Sequence, residues 1–271
     1  MENSIKNIFI YVFFILFNMN EIILPFTLTL IAGLSTMIGT IFIFIKCNID
    51  KLTKYSLAFA SGVMISVSLL DLIPESLNFI LKNNIKNNSF AILIFGIIIG
   101  LILSYLIDKI IPENNKVKNK KLYRVGIFSM IAIIIHNIPE GIITFLTSTS
   151  NISIGIMLTL AIALHNLPEG ISISVPLYTS TNSQKRAVGY TLISALAEPL
   201  GAIIALILLK PIITNTIMGF ILAITAGIML HIAMFQLLPS SLKYKNKIKT
   251  ITIFILGIIF MIISNIFMSF F

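Results

Sequence analysis

The chain has no tryptophan, one cysteine and three histidines, and its charged residues make up only 11% of 271. A single cysteine, Cys47, excludes an intramolecular disulfide and a thiolate-rich metal centre; at the end of an apolar run it reads as a small packing residue. So little charge also excludes an ordinary soluble domain, where about a quarter of residues are charged. In its place 57% of residues are hydrophobic, with a mean hydropathy of +1.03. A membrane-spanning helix needs about 20 apolar residues. Eight runs meet that length, at roughly 22–45, 56–80, 89–111, 124–149, 152–178, 187–209, 212–239 and 250–270. The sequence therefore reads as an all-α integral membrane protein, with one eight-helix domain over 22–271. The apolar stretch within residues 1–21 is too short to span and has no small-residue cleavage pattern, so it reads as an uncleaved lead-in.

Acidic residues are scarce too, ten against nineteen Lys and Arg, for a formal charge of +9. In a soluble protein that excess would suggest nucleic acid. Here it sits in the links between spans and argues against a nucleic-acid partner. The side holding the N-terminal tail and the links after spans two, four and six has Lys6, Lys82, Lys86 and Lys210. The other fifteen basic residues fall on the opposite side, six of them between Lys109 and Arg124. The positive-inside rule puts that side, with its basic loop at about 112–124, in the cytoplasm and both termini outside a cell membrane.

One phrase occurs twice in these apolar runs: His136-Asn137-Ile138-Pro139-Glu140-Gly141 and, 29 residues on, His165-Asn166-Leu167-Pro168-Glu169-Gly170. On a helix, i and i+4 share a face, so each copy aims an imidazole and a carboxylate the same way. Each proline lacks an N–H and crowds the carbonyl four residues back, which predicts that the helix opens beside these side chains. The short link Ser148-Thr149-Ser150-Asn151 makes spans four and five antiparallel neighbours, so the two polar faces meet at equal depth. Span six adds Glu198 beside Pro199 at a matching depth.

One carboxylate in lipid costs on the order of 2.5–3.5 kcal/mol on insertion scales. Glu140, Glu169 and Glu198 have no mid-span Lys or Arg to pair with, so protons or cations must neutralise them. Imidazole with carboxylate is a ligand set for zinc and its first-row neighbours, whereas calcium and magnesium take oxygen alone. One divalent ion leaves an excess negative charge, which a second ion or a proton would correct, and a two-metal site bridged by Glu140 and Glu169 fits. A helix-kink packing motif explains one copy of the phrase but poorly explains two. An intramembrane metallohydrolase would need His-Glu-x-x-His, and Asn137 and Asn166 stand where that glutamate would be.

The other polar positions carry weaker signals. Asp71 and Glu75 lie one turn apart near the outer end of span two, and read equally well as a cation-attracting vestibule or as interfacial caps. Met64 in the same span is most simply packing. Lone His231 in span seven reads as a hydrogen-bonded buried imidazole, and span eight, apolar except for Ser264 and Asn265, as structural.

The doubled His-Asn-x-Pro-Glu-Gly, Ala-Glu-Pro-Leu-Gly at 197–201, and Gly-Val-Met at 62–64 with Asp-Leu-Ile-Pro at 71–74 resemble the ZIP family of divalent metal transporters, in particular its bacterial ZupT-like branch. The resemblance runs over nearly the whole chain from about Ile22. It implies eight helices with outside termini and inverted repeats, helices one to three against six to eight, around helices four and five. It also implies a binuclear site of His136, Asn137, Glu140, His165, Asn166, Glu169 and Glu198, with Met64 joining the first metal. The substrate implied is Zn2+, with Fe2+, Mn2+, Co2+ or Cd2+ as further cargo moved toward the cytoplasm, with no organic cofactor and a homodimer as an admissible assembly. A membrane metal sensor without flux is the alternative. Two features depart from many relatives: Phe235 and Gln236 stand where acids occur near the inner end of helix seven, and the loop after helix three has no histidine.

Overall fold

Helix starts along the chain are set by short polar side chains at the ends of the apolar runs. The Asn119 side chain accepts the Leu122 N–H at 3.1 Å, Asn151 those of Ser153 and Ile154 at 3.0 and 3.2 Å, Ser183 that of Arg186 and Thr214 that of Ile217, both at 3.3 Å. Each cap satisfies backbone donors that a helix entering lipid leaves unpaired. In the computed structural model, which describes residues 19–46, 48–82, 88–111, 117–209, 214–268 and 270, eight helices are long and apolar enough to cross a membrane. They are α1 (Ile22–Phe44), α2 (Ile49–Leu81), α3 (Ser89–Ile110), α4 (Lys120–Ser150), α5 (Ile152–Thr181), α6 (Gln184–Ile207), α7 (Asn215–Ser241) and α8 (Lys247–Met268). No strand occurs among the described residues. Cys47, most of the lead-in at 1–21, residues 112–116 of the basic loop, and Lys86 and Lys210 lie outside the described residues.

The helices match the expected spans, but the distortions sit elsewhere than the prolines of the repeated phrase suggested. Both α4 and α5 run as unbroken α-helix through Pro139 and Pro168. The irregular turns lie in the helices packed around them. α1 tightens to 3₁₀ over Thr36–Phe44, α2 and α7 widen to π-helix at Ser68–Leu72 and Ile232–Leu237, and α6 breaks at Leu196, just before Glu198 and Pro199. In α2 and α7 the wide turn lies just before Pro74 and Pro239, where the Ile73 N–H reaches Ser68 O and the Leu238 N–H reaches Ala233 O. A π-turn keeps backbone donors bonded where proline would otherwise crowd the preceding turn.

α4 and α5 form the centre. α1 packs on α5 and α6 on α4 through two glycines of the repeated phrase. A Cβ at Gly170 would run into the Thr36 carbonyl of α1, and one at Gly141 into the Glu198 carbonyl of α6. Only the missing side chain allows backbones this close. The contact recurs with both partners shifted, 29 residues along the phrase and 162 from α1 to α6. α2 pairs with α8 and α7 with α3. α3 and α8, apolar on most sides, are the least buried, at 22% and 17% over their most apolar windows.

This close packing makes a sharp comparison. Gly141→Val and Gly170→Val each put a branched side chain against backbone and should lower the thermal midpoint of detergent-solubilised protein or abolish its monodisperse peak. Gly189→Ala, where an added Cβ meets nothing within 4 Å, should be neutral or gain up to about 1 kcal/mol from helix propensity.

Candidate metal site

Where α4 and α5 cross, the two copies of the phrase converge as the i, i+4 spacing requires. His136 Nε2 lies 3.2 Å from Glu140 Oε1 on its own helix and 3.3 Å from Glu169 Oε1 on the neighbour; His165 Nε2 lies 3.1 Å from Glu140 Oε1. The ligand atoms of His136, Glu140 and His165 all fall within 4.8 Å of one another, and all three residues are buried. Two ligands each about 2.0–2.1 Å from a tetrahedral zinc ion stand about 3.3 Å apart, so these separations suit one shared ion. The ion pairs of Glu140 and Glu169 run to imidazole.

Burial here is not matched by hydrogen bonding. Both His136 ring nitrogens, Asn137 Oδ1, Glu140 Oε2, Asn166 Oδ1, both Glu169 oxygens and Glu198 Oε2 are buried without a hydrogen-bond partner. His136 Nε2 is close to two carboxylates, yet its approach lacks the directionality of a hydrogen bond. An unsatisfied buried group costs about 1–3 kcal/mol, more when charged. A cation answers that cost well, because it has no directional demand and takes lone pairs from several sides.

The two asparagines hold the cluster in place. Asn137 donates to the Ser194 carbonyl of α6 at 3.3 Å, and Asn166 to the Ala32 carbonyl of α1 at 2.9 Å and to Glu198 Oε1. Each amide thus ties its own helix to a flanking one with its nitrogen, leaving its oxygen facing inward. Glu198 joins by way of Asn166 and is fully buried. Met64 is fully buried in the apolar core that also holds Ile142 and Ile143.

Asp71 and Glu75 line a cavity of about 240 Å³ that also reaches Glu140 and His165. They therefore share one cavity with two members of the cluster. Asn265 of α8 lines the same cavity and donates to Asp71 Oδ1 at 2.6 Å. The sequence reading missed it, since a lone amide near the end of an apolar helix has no local signal. The only cue was that it is one of the few polar groups in that helix. His231 stands apart, bonded through Nδ1 to Ser104 Oγ at 3.0 Å and stacked on Phe235 at 5.2 Å, as expected for a packed imidazole.

The family model described as ZIP Zinc transporter matches residues 112–265, which include both copies of the phrase and Glu198. The chain belongs to the ZIP zinc transporter family. Among ZIP relatives, the zinc transporter ZupT of Streptococcus mutans is 40% identical over 88% of this chain and 95% of its own length. That of Oceanobacillus iheyensis is 40% identical over 83% and 91%, and that of Clostridium perfringens 37% identical over 91% and 96%.

The asparagine ties lead to a binding prediction. Asn166→Ala frees α5 from α1 and Glu198 from its donor, and should weaken zinc binding by the purified protein about 10–100-fold, the usual loss when a ligand's support is removed. Competition with a chromogenic chelator measures this; unchanged affinity would show that the amide does not organise the site.

Proposed function

We propose that the protein carries Zn2+ across the cell membrane toward the cytoplasm, binding it between α4 and α5. The observation that supports this most is the convergence of His136, Glu140, His165 and Glu169 at ligand spacing in a buried cluster rich in unpaired acceptors. His136 Nε2, His165 Nε2 and a bridging Glu140 oxygen hold the first ion. Glu169, Glu198 and the oxygens of Asn137 and Asn166 make a second station beside it, so that two ions share the carboxylates, and Met64 completes the first ligand set as a soft donor. Nitrogen and carboxylate donors suit zinc and also admit Fe2+, Mn2+, Co2+ and Cd2+. The named function of the ZupT relatives agrees with this cargo.

Polarity follows from charge. With fifteen of nineteen basic residues on the side of the α3–α4 loop, the Asp71 mouth faces outward and both termini lie outside. Asp71 and Glu75 then raise the local concentration of cations at the outer mouth. The ion exchanges water for protein ligands at Glu140, whose negative charge offsets the loss of hydration. Toward the opposite side Phe128 is fully buried and packs against His231, with ring centroids 5.8 Å apart. A cluster reached by a cavity from one side suits alternating access, in which one helix group rocks against another around a fixed site. The recurring contacts of α1 on α5 and α6 on α4 are those that inverted repeats would make, and α2 with α8 and α3 with α7 pack as pairs across those repeats. No part of this route requires bond cleavage, and the protein acts as a transporter rather than an enzyme.

The direct test is zinc uptake into proteoliposomes loaded with a zinc-sensitive dye. Glu140→Ala with Glu169→Ala should bring uptake to the protein-free rate, and uptake that survives would remove the site from the pathway. Asp71→Asn should behave differently, raising the zinc concentration for half-maximal uptake with a smaller change in maximal rate. That effect should shrink as salt rises, because charge at a mouth is screened over about 8–10 Å at 0.10–0.15 M. A salt-independent fall in maximal rate would place Asp71 outside the role of attracting ions.

A further inference from the structure

The outer mouth has a counterpart at the other end of the bundle. The backbone contacts of α2 with α8 recur between α7 and α3. A Cβ at Gly62 would meet the Phe254 carbonyl, and one at Gly227 the Ile97 carbonyl; likewise Gly257 faces the Phe59 carbonyl and Gly100 the Ile224 carbonyl. All four agree with one register, 165 residues from α2 to α7 and 157 from α3 to α8. The same register places Gln236 where Asp71 is, and Asp108 where Asn265 is. These four residues make the same kind of bond: Asn265 donates to Asp71 Oδ1 at 2.6 Å, and Gln236 donates to Asp108 Oδ2 at 2.9 Å. Carboxylate and amide have exchanged helices, but each end keeps one of each.

The inner pair has a third member. Arg124, at the start of α4, pairs its Nε with Asp108 Oδ1 at 3.1 Å and donates an η nitrogen to the Asp108 carbonyl. Twenty-nine residues on, the register of the repeated phrase puts Ser153 at the matching place on α5. A cavity of about 390 Å³ lined by Asp108, Gln236, Phe235, Lys120, Lys121 and Arg124 marks this mouth. Phe235, which lines it, is stacked on His231.

Building on the transport reading above, we infer that Asp71–Asn265 and Asp108–Gln236 are equivalent clasps at the two mouths of the pathway, of which only the inner one, with Arg124 added, acts as a latch. Arg124 is the group that holds the inner one shut. Carboxylate and amide clasp α2 to α8 outside and α3 to α7 inside. Outside, Asp71 keeps its negative charge directed at incoming ions. Inside, the guanidinium neutralises Asp108, ties α3 to α4 and repels a cation returning from the cytoplasm. For the bundle to open inward, α4 with Arg124 must part from Asp108, which Gln236 holds in place on the closely packed α3–α7 pair. The glutamine at 236 thus serves closure of the inner mouth.

The test reads which side is open. In a Cys47→Ala background, Ser129→Cys reports on the inner half: it is fully buried and lies two turns from His136 toward Arg124. Leu158→Cys, lining the outer cavity, reports on the outer half. Arg124→Gln and Asp108→Asn should each raise thiol labelling at position 129 and lower it at 158 by about two- to fivefold, the shift a partly exposed ion pair gives a two-state equilibrium. Gln236→Leu, which leaves the ion pair in place, should shift both reporters in the same direction. Labelling unchanged at both reporters in all three variants overturns the latch even where zinc uptake is normal. No zinc uptake by the unsubstituted protein, with the labelling shifts intact, would sink the transport reading and leave the latch standing.

Discussion

Three carboxyl groups buried together, with imidazole but no Lys or Arg paired to them among the described residues, are the constraint on which the rest of this molecule depends. Glu140, Glu169 and Glu198 are at most 5% exposed, and the imidazoles of His136 and His165 compensate them only in part. Such a cluster persists where something mobile and positive completes it. Much of the surrounding architecture serves to bring these groups together without adding a resident cation. The asparagines next to the histidines spend their N–H groups on flanking helices and keep their oxygens inward. The glycines after the glutamates let those helices reach backbone contact.

Packing also keeps the helices that carry the cluster regular. α4 and α5, which hold the cluster, stay regular through their prolines, whereas 3₁₀ and π turns gather in α1, α2, α6 and α7. Irregular turns are where a helix can change its bonding pattern at low cost. They lie in the helices packed around the cluster and not in the two that carry it. The two ends of the bundle carry the same carboxylate–amide chemistry, and Arg124 joins it at one of them.

Much of this was legible in the sequence. Eight apolar runs gave eight helices, the i, i+4 spacing in the repeated phrase gave two converging faces, and lone His231 proved to be a bonded, packed imidazole. What escaped was long-range. Asn265 reads as an isolated amide because its partner Asp71 is 194 residues away, and nothing in helical periodicity links α8 to α2. The asparagine ties to Ala32 and Ser194 end on backbone carbonyls, which any residue supplies. Pro139 and Pro168 suggested opened helices by local rule, yet the distortions moved to neighbours whose packing tolerates them. The equivalence of Asp108 with Asn265 becomes visible only once glycine contacts fix the register between α3 and α8.

The central claim is that imidazole and carboxylate from α4 and α5 ligate the cargo ion together. X-ray absorption at the zinc edge on the purified, zinc-loaded protein tests it most directly. The account predicts nitrogen and oxygen ligands at about 2.0–2.2 Å, a thioether sulfur from Met64 at a longer distance, and outer-shell scattering from two imidazoles that falls by one in His136→Ala and again in His165→Ala. A shell of oxygen alone, or imidazole scattering unchanged by those substitutions, would contradict it.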